Sequence, residues 1–159
     1  MMTKDFEHVY SVYWEKVYRL CMGYVNDDAS ARDLAQETFI RVWENLPGFR
    51  GDAQIGTWIF RIASNHCLRQ LEKDKKHRKT ELPLQLPEEV PPDRAVEVEL
   101  LYRLIAELPE TDRIIISLEL EEVKQGEIAQ ILGLSEGNVR VRIHRIKERL
   151  TQRFKDYGF

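Results

Sequence analysis

Cysteine is scarce in this chain: two residues in 159, Cys21 and Cys67, in no Cys-x-x-Cys pair. That spacing excludes a disulfide framework and makes a reducing cytoplasm the expected compartment. The four histidines, His8, His66, His77 and His144, are scattered over separate segments. His66 and Cys67 with Cys21 are the one combination a metal could use, yet neighbouring helical residues point apart. No metal and no cofactor is therefore expected. Walker-type glycine loops, GxGxxG and HExxH are all missing. Acids are plentiful but form no evident catalytic pair, so a metal-dependent hydrolase would rest on scattered residues alone, and no enzyme is expected. Long apolar runs are missing too: none reaches the roughly 18 residues of a membrane-spanning helix. The opening MMTKDFEHVY has no apolar signal core.

What is present is a helical chain of one or two small domains, 43% hydrophobic and 32% charged. The net charge of −3 argues against nucleic-acid binding, but the charge is unevenly spread. Residues 61–80 hold Arg61, Arg69, Lys73, Lys75, Lys76, Arg78 and Lys79 against Glu72 and Asp74. Residues 81–122 carry twelve acids and three bases, and residues 123–159 eight bases and four acids. Two basic patches thus flank an acidic middle.

Residues 4–25 place Phe6, Tyr10, Tyr13, Val17, Cys21 and Tyr24 at three- and four-residue steps, a long helix with an aromatic core face. Asn26-Asp27-Asp28 ends it, with Asp28 expected to cap a second helix from near Ala29. Through Asp33–Leu46 the stripe Ala35, Phe39, Val42, Trp43 and Leu46 marks an amphipathic helix. Asp33, Gln36, Glu37 and Arg41 lie on its other faces, towards water or a partner. Pro47 and Gly48 stop it. A loop over Gly48–Ile55 follows, in which Asp52 is suited to cap the helix at Thr57. In that helix Ile55, Trp58, Ile59, Ile62 and His66 read as the core stripe, and Thr57, Arg61, Asn65 and Arg69 as a separate polar row. A core stripe, a hydrogen-bonding row and a cationic end beside an irregular loop suit nucleic acid: cations for phosphates, amides and hydroxyls for bases.

Residues 80–96, TELPLQLPEEVPPDRAV, hold four prolines among acids and read as an extended linker. Beyond it Leu100, Leu101, Leu104, Ile105 and Leu108 share a helical face, and Pro109 breaks the chain, with Thr111 or Asp112 expected to cap the next helix. Ile114-Ile115-Ile116 has strand propensity but no partner run, so it reads as buried helix. Glu127–Leu132, the turn Gly133-Leu134-Ser135, and a helix from Glu136 to Leu150 buried through Val139, Ile143, Ile146 and Leu150 form a helix-turn-helix. Lys124 at the cap position and Gly126, at about 1 kcal/mol against Ala, predict a late start for the first of the pair. The outward residues are Glu136, Asn138, Arg140, Arg142, His144, Arg145, Lys147 and Arg149.

DLAQETFIRVW, FRGDAQ-TW-FRIASN and EIAQILGLSEGNVRVRIHRIKERL together resemble the extracytoplasmic-function group of bacterial sigma factors, in the expected order and over nearly the whole chain. The resemblance implies an all-α chain of two small helical domains joined by a Pro-rich acidic linker. Residues 1–79 would bind core RNA polymerase and open the minus-ten element, 80–96 would be the linker, and 97–159 would read the minus-thirty-five element. Polymerase would be met by Asp33, Gln36, Glu37 and Arg41, with Trp43 in support. The minus-ten element would fall to Arg50, Asp52, Ala53, Gln54, Thr57, Arg61, Asn65, Arg69, Lys73 and Lys76, the 50–57 loop holding a flipped base. The minus-thirty-five element would fall to Ser135, Glu136, Asn138, Arg140, Arg142, His144, Arg145 and Lys147. Promoter DNA, core polymerase and a membrane-associated anti-sigma factor, relieved by a stress or envelope signal, are the implied partners. Gly56, where the family more often has a bulkier residue, and Lys124, where it has Ser or Thr, depart from the pattern. From the residues alone a stand-alone helix-turn-helix regulator, its N-terminal half sensing a protein or ligand and its second half binding a palindromic duplex as a dimer without polymerase, stays open.

Overall fold

Seven α-helices and one short 3₁₀ turn account for nearly all the described residues, and no strand occurs among them. The computed structural model describes residues 2–51, 54–77 and 93–159, with side chains described over 5–51, 54–69 and 96–159. The helices are α1 (Met2–Val25), α2 (Asp28–Asn45), α3 (Ile55–His77), α4 (Asp93–Ala106), α5 (Glu110–Leu120), α6 (Gln125–Leu132) and α7 (Glu136–Asp156). Most of the expected linker lies outside the described residues, but residues 93–96 are already helical.

Helix α1 is the axis of the molecule. One side packs on α2 and α3, another on α4 and α5, and Val17, Leu20, Cys21 and Tyr24 are wholly buried between them. The two halves therefore share one continuous core. Helix α3 also touches α5 and α6. Polar contacts fasten α1 to the second half. Arg19 donates to both Glu121 oxygens at 2.7 to 3.1 Å. Arg113 Nη1 donates to the Tyr24 carbonyl at 3.1 Å, its guanidinium lying over the Tyr24 ring. Gly23 meets Ser117 so closely that a Cβ there would fall 2.2 Å from Ser117 Oγ. On the other side Cys67 Sγ donates to Cys21 Sγ at 3.8 Å, linking α3 to α1. That hydrogen bond and burial push the Cys67 thiol well above its ordinary pKa, so it stays protonated.

Local chemistry sets the helix ends, and several differ from expectation. Asn26 takes a left-handed φ of 50°, and Asp27, not Asp28, caps α2 by accepting from Ser30 N at 2.9 Å. Asp28 instead accepts from Tyr18 and Arg32. Its pKa is lowered, by the Tyr18 hydrogen bond first. The same contact raises Tyr18 to about 12, behind burial as the larger cause. Pro109 precedes α5, so Thr111 and Asp112 fall inside its first turn and do not cap it. Helix α6 begins early, at Gln125, with an extended Lys124 that offers no side-chain cap. Gly133 ends it at a left-handed φ of 68°, and Ser135 caps α7 by accepting from Asn138 N at 3.1 Å. Ile114, Ile115 and Ile116 are helical and buried. Each buried isoleucine contributes about 1.5–3 kcal/mol, which outweighs a helix-propensity penalty of at most ~0.7 kcal/mol.

Candidate nucleic-acid interface

The burial of α3 is turned by one residue from the expected stripe. Ile59, Phe60, Ala63 and Cys67 face the core, and Thr57 is buried as well. The reason is α1: Tyr13 packs edge-on against Phe60, and Cys21 against Cys67, so these positions are drawn inward. Thr57 is thereby withdrawn from the polar row. Trp58 and Ile62, read as core, are only partly buried against it, and with His66 they line an open cleft of about 340 Å³ between α2 and α3. Asn65 and Arg69 come from the same helix, Arg41 and Asn45 from α2, and Gly48 and Phe49 from the turn between.

The cleft combines three kinds of group. Phe49 and Trp58 form a tilted ring pair at 4.9 Å. Arg41 and Arg69 bring positive charge, and Asn45 and Asn65 bring amides. Base faces stack on such rings, at about 1–3 kcal/mol per base, while guanidinium groups meet phosphate. His66 Nδ1 lies 3.8 Å from a Glu37 carboxylate oxygen. Burial lowers the His66 pKa, and Arg41 and Arg69 push the same way, with Glu37 opposing. The structure thus brings Arg41, expected on a polymerase face, to the same cleft as Asn65 and Arg69. Arg50, Gln54 and Arg61 are exposed nearby in the chain. Asp52 and Ala53 lie outside the described residues, as do the side chains of Lys73 and Lys76 on the last turns of α3. Phe49, Trp58 and His66 line this candidate site although the sequence pattern did not single them out. The signal available was the aromatic pair on either side of the loop.

A second, apolar cleft of about 380 Å³ lies between α1 and α2, lined by Phe6, Tyr10, Gln36, Phe39, Ile40 and Trp43. Phe6 meets Trp43 edge-on at 5.1 Å, yet Trp43 stays 43% exposed and Ile40 57%. Asp33, Glu37 and Arg41 are exposed on the same helix. Exposed apolar patches of this kind mark interaction sites or ligand grooves. Ile40 is the residue the sequence pattern hid, because it falls outside the α2 core stripe.

Helix α7 buries Val139, Ile143, Ile146 and Leu150. Glu136, Asn138, Arg140, His144, Arg145 and Lys147 are exposed. Arg142 is not free: its guanidinium contacts Asp112 at 3.2 Å and Asn138 Oδ1 at 2.7 Å, half-buried against α5. Lys147 reaches Glu119 at 3.5 Å and His144 reaches Glu148 at 3.1 Å. Arg140 and Arg145 are the exposed arginines in the first half of the helix. Among the described residues no group of three or more His, Cys, Asp or Glu could hold a metal. No helix there is long and apolar enough to cross a membrane.

Comparison with known proteins agrees with this arrangement. Residues 9–77 match the model of sigma-70 region 2, and residues 98–150 that of sigma-70 region 4. The ECF RNA polymerase sigma factor SigW of Bacillus subtilis is 30% identical, over 95% of this chain and 89% of its own. RNA polymerase sigma-H factor of Pseudomonas aeruginosa is 31% identical, over 86% and 79%. Among solved structures, the sigma factor RpoE of Bartonella quintana, in complex with the anti-sigma factor NepR, superposes with a TM-score of 0.82 at 18% identity, covering 96% of this chain and 98% of that one. CnrH, in complex with the cytosolic domain of CnrY, has a TM-score of 0.74 at 21% identity, covering 99% and 91%. The chain belongs to the sigma-70 family of RNA polymerase sigma factors, in its extracytoplasmic-function (ECF) group.

Proposed function

We propose that this protein binds core RNA polymerase in the cytoplasm, directs it to promoters bearing a minus-ten and a minus-thirty-five element, and has no catalysis of its own. The observation that carries the reading is the α2–α3 cleft. A ring pair, two guanidinium groups and two amides on one open wall suit the bases and phosphates of a melted strand. Arg50, Gln54 and Arg61 extend that surface, with Asp52, Ala53, Lys73 and Lys76 assigned to it by sequence. The patch of Gln36, Ile40 and Trp43, with Asp33 and Glu37 exposed on the same helix, docks on polymerase. The α7 face with Arg140 and Arg145 reads the upstream duplex. The region 2 match over residues 9–77 favours this reading over a stand-alone regulator whose N-terminal half senses a protein or ligand.

The packed arrangement supports a further part of this reading. A 159-residue globule has a radius of gyration of about 15 Å and spans about 40 Å. The two promoter elements lie roughly 25 base pairs apart, or about 85 Å along the duplex. Helix α3 rests against α6, which packs on α7, so both DNA-facing helices, α3 and α7, sit within one core. Engaging both elements requires α1 to part from α4 and α5, with polymerase as the frame that holds the halves. An anti-sigma factor that favours the closed form or covers the apolar patch would keep the protein silent. RpoE of Bartonella quintana is found in complex with an anti-sigma factor, NepR.

Run-off transcription with purified core polymerase and a promoter library tests the proposal. New start sites that depend on the protein are expected. Core enzyme that neither binds the protein nor gains any transcript refutes it.

A further inference from the structure

Val141 stands in the middle of the outward face of α7. It follows Val139, which is wholly buried, by two residues, about 200° round a helix of 100° per residue. It is 54% exposed, among the most exposed large apolar residues described. Folding does not ask for it. Val is a poorer helix former than the Lys, Glu or Gln that suit such a face, and here it buries little. One turn earlier on the same face is Gly137, where a Cβ would have only the tip of Arg140 within reach, 3.7 Å away. The helix therefore offers a shallow, bare apolar strip, Gly137 then Val141, with Arg140 on one flank and Arg145 on the other. A groove floor can approach closely only where side chains are short. The charged groups beside the strip are suited to phosphates or guanine edges. They offer no apolar surface to the one apolar feature of the major groove, the C5 methyl of thymine.

We propose that Val141 is a specificity-determining residue, its methyl groups packing on a thymine methyl in the upstream duplex. This rests on the reading of α7 as the duplex-reading helix. It assigns that face an apolar contact, where the charged residues alone would leave only hydrogen bonds and phosphate contacts.

The test uses holoenzyme assembled from the full chain and core polymerase, on promoter duplexes selected from a randomised library. Each thymine of the upstream element is replaced in turn by deoxyuridine, which removes the methyl and nothing else. One position is expected to weaken wild-type binding about fourfold, the worth of one buried methyl group. At that position the Val141→Ala holoenzyme is expected to be indifferent, while keeping its response to substitutions elsewhere. Val141→Ala is also expected to melt with wild type, since the side chain is exposed. A deoxyuridine penalty that is the same in wild type and variant at every position, or no penalty anywhere, overturns the assignment. Failure of the parent reading shows one step earlier, as a holoenzyme that selects no duplex, and that sinks both.

Discussion

Replacing Gly23 by alanine puts the closed form under direct strain. The new Cβ would lie 2.2 Å from Ser117 Oγ and 3.2 Å from Ser117 Cβ. Ser117 Oγ has no hydrogen-bond partner, so turning it away costs no bond. The Cβ contact does not turn away, and α1 must shift from α5 by a few tenths of an ångström. Overpacking of this kind costs about 1–3 kcal/mol. It acts only where α1 and α5 touch. In the opened form Ala in place of Gly stabilises α1 by about 1 kcal/mol, but that gain is shared by both forms and cancels. The ratio of closed to open chain should therefore fall roughly 5- to 150-fold, at 1.4 kcal/mol per decade. If polymerase takes only the open chain, its apparent affinity scales with the open fraction. With the closed form dominant in wild type, Gly23→Ala is thus expected to tighten binding to core polymerase by about 5-fold or more, up to the reciprocal of the wild-type open fraction, measured by titration with a fluorescent chain. Ser117→Gly in the same background removes both clashing atoms and should restore the wild-type value. Unchanged polymerase affinity in Gly23→Ala would refute the idea that the α1–α5 contact restrains the protein.

Four more outcomes follow from the structure. Trp58→Ala removes half of the ring pair in the α2–α3 cleft and should cost about 1–3 kcal/mol of strand capture, seen as lost permanganate reactivity of promoter thymines with duplex binding retained. Ile40→Glu puts a charge into the apolar α1–α2 cleft and should weaken binding to core polymerase about tenfold or more, as expected for an anchor residue worth over 1 kcal/mol, with an unchanged melting temperature. Glu122, held at a left-handed φ of 63°, should gain about 1 kcal/mol on replacement by glycine, read from the urea midpoint. His66, lowered chiefly by burial, gives a stability that is complete above its ordinary pKa near 6.5. As pH falls below that value the unfolded chain takes up a proton the folded one resists, and stability is lost. His66→Asn should flatten the urea midpoint between pH 7.5 and 5.5, and an equal acid loss in the variant would contradict the assignment.

Much of the architecture could be read from spacing, because burial of one face is a local demand that each helix writes into its own residues. The stripes of α2 and α7 and the Gly133-Leu134-Ser135 turn are such cases: Ala35, Phe39 and Val42 face in, though Trp43 of the same stripe stays 43% exposed, and Ser135 caps. Reading failed where two faces were both apolar. In α3 the row of Trp58, Ile62 and His66 has the same period as the row of Ile59, Ala63 and Cys67, and only contact with α1 decided which went inside. Sorting by polarity also misled. Arg142 was placed with the outward cations although Asp112 holds it, and Val141 and Ile40 were overlooked because they are apolar on exposed faces.

The order of amino acids alone determined that the chain is helical, where its helices turn, which residues make the helix-turn-helix, and that its positive charge is gathered at two places. These follow from periodicity, capping and local charge, which need no knowledge of neighbours. That α1 serves both halves, that Arg19 finds Glu121 across 102 positions of sequence, and that the α2–α3 cleft is walled by rings rather than filled by them were settled by the tertiary structure. An apolar face states that it must be covered, but many surfaces can cover it. Which one does is a competition among all the faces of the chain, decided only when they pack.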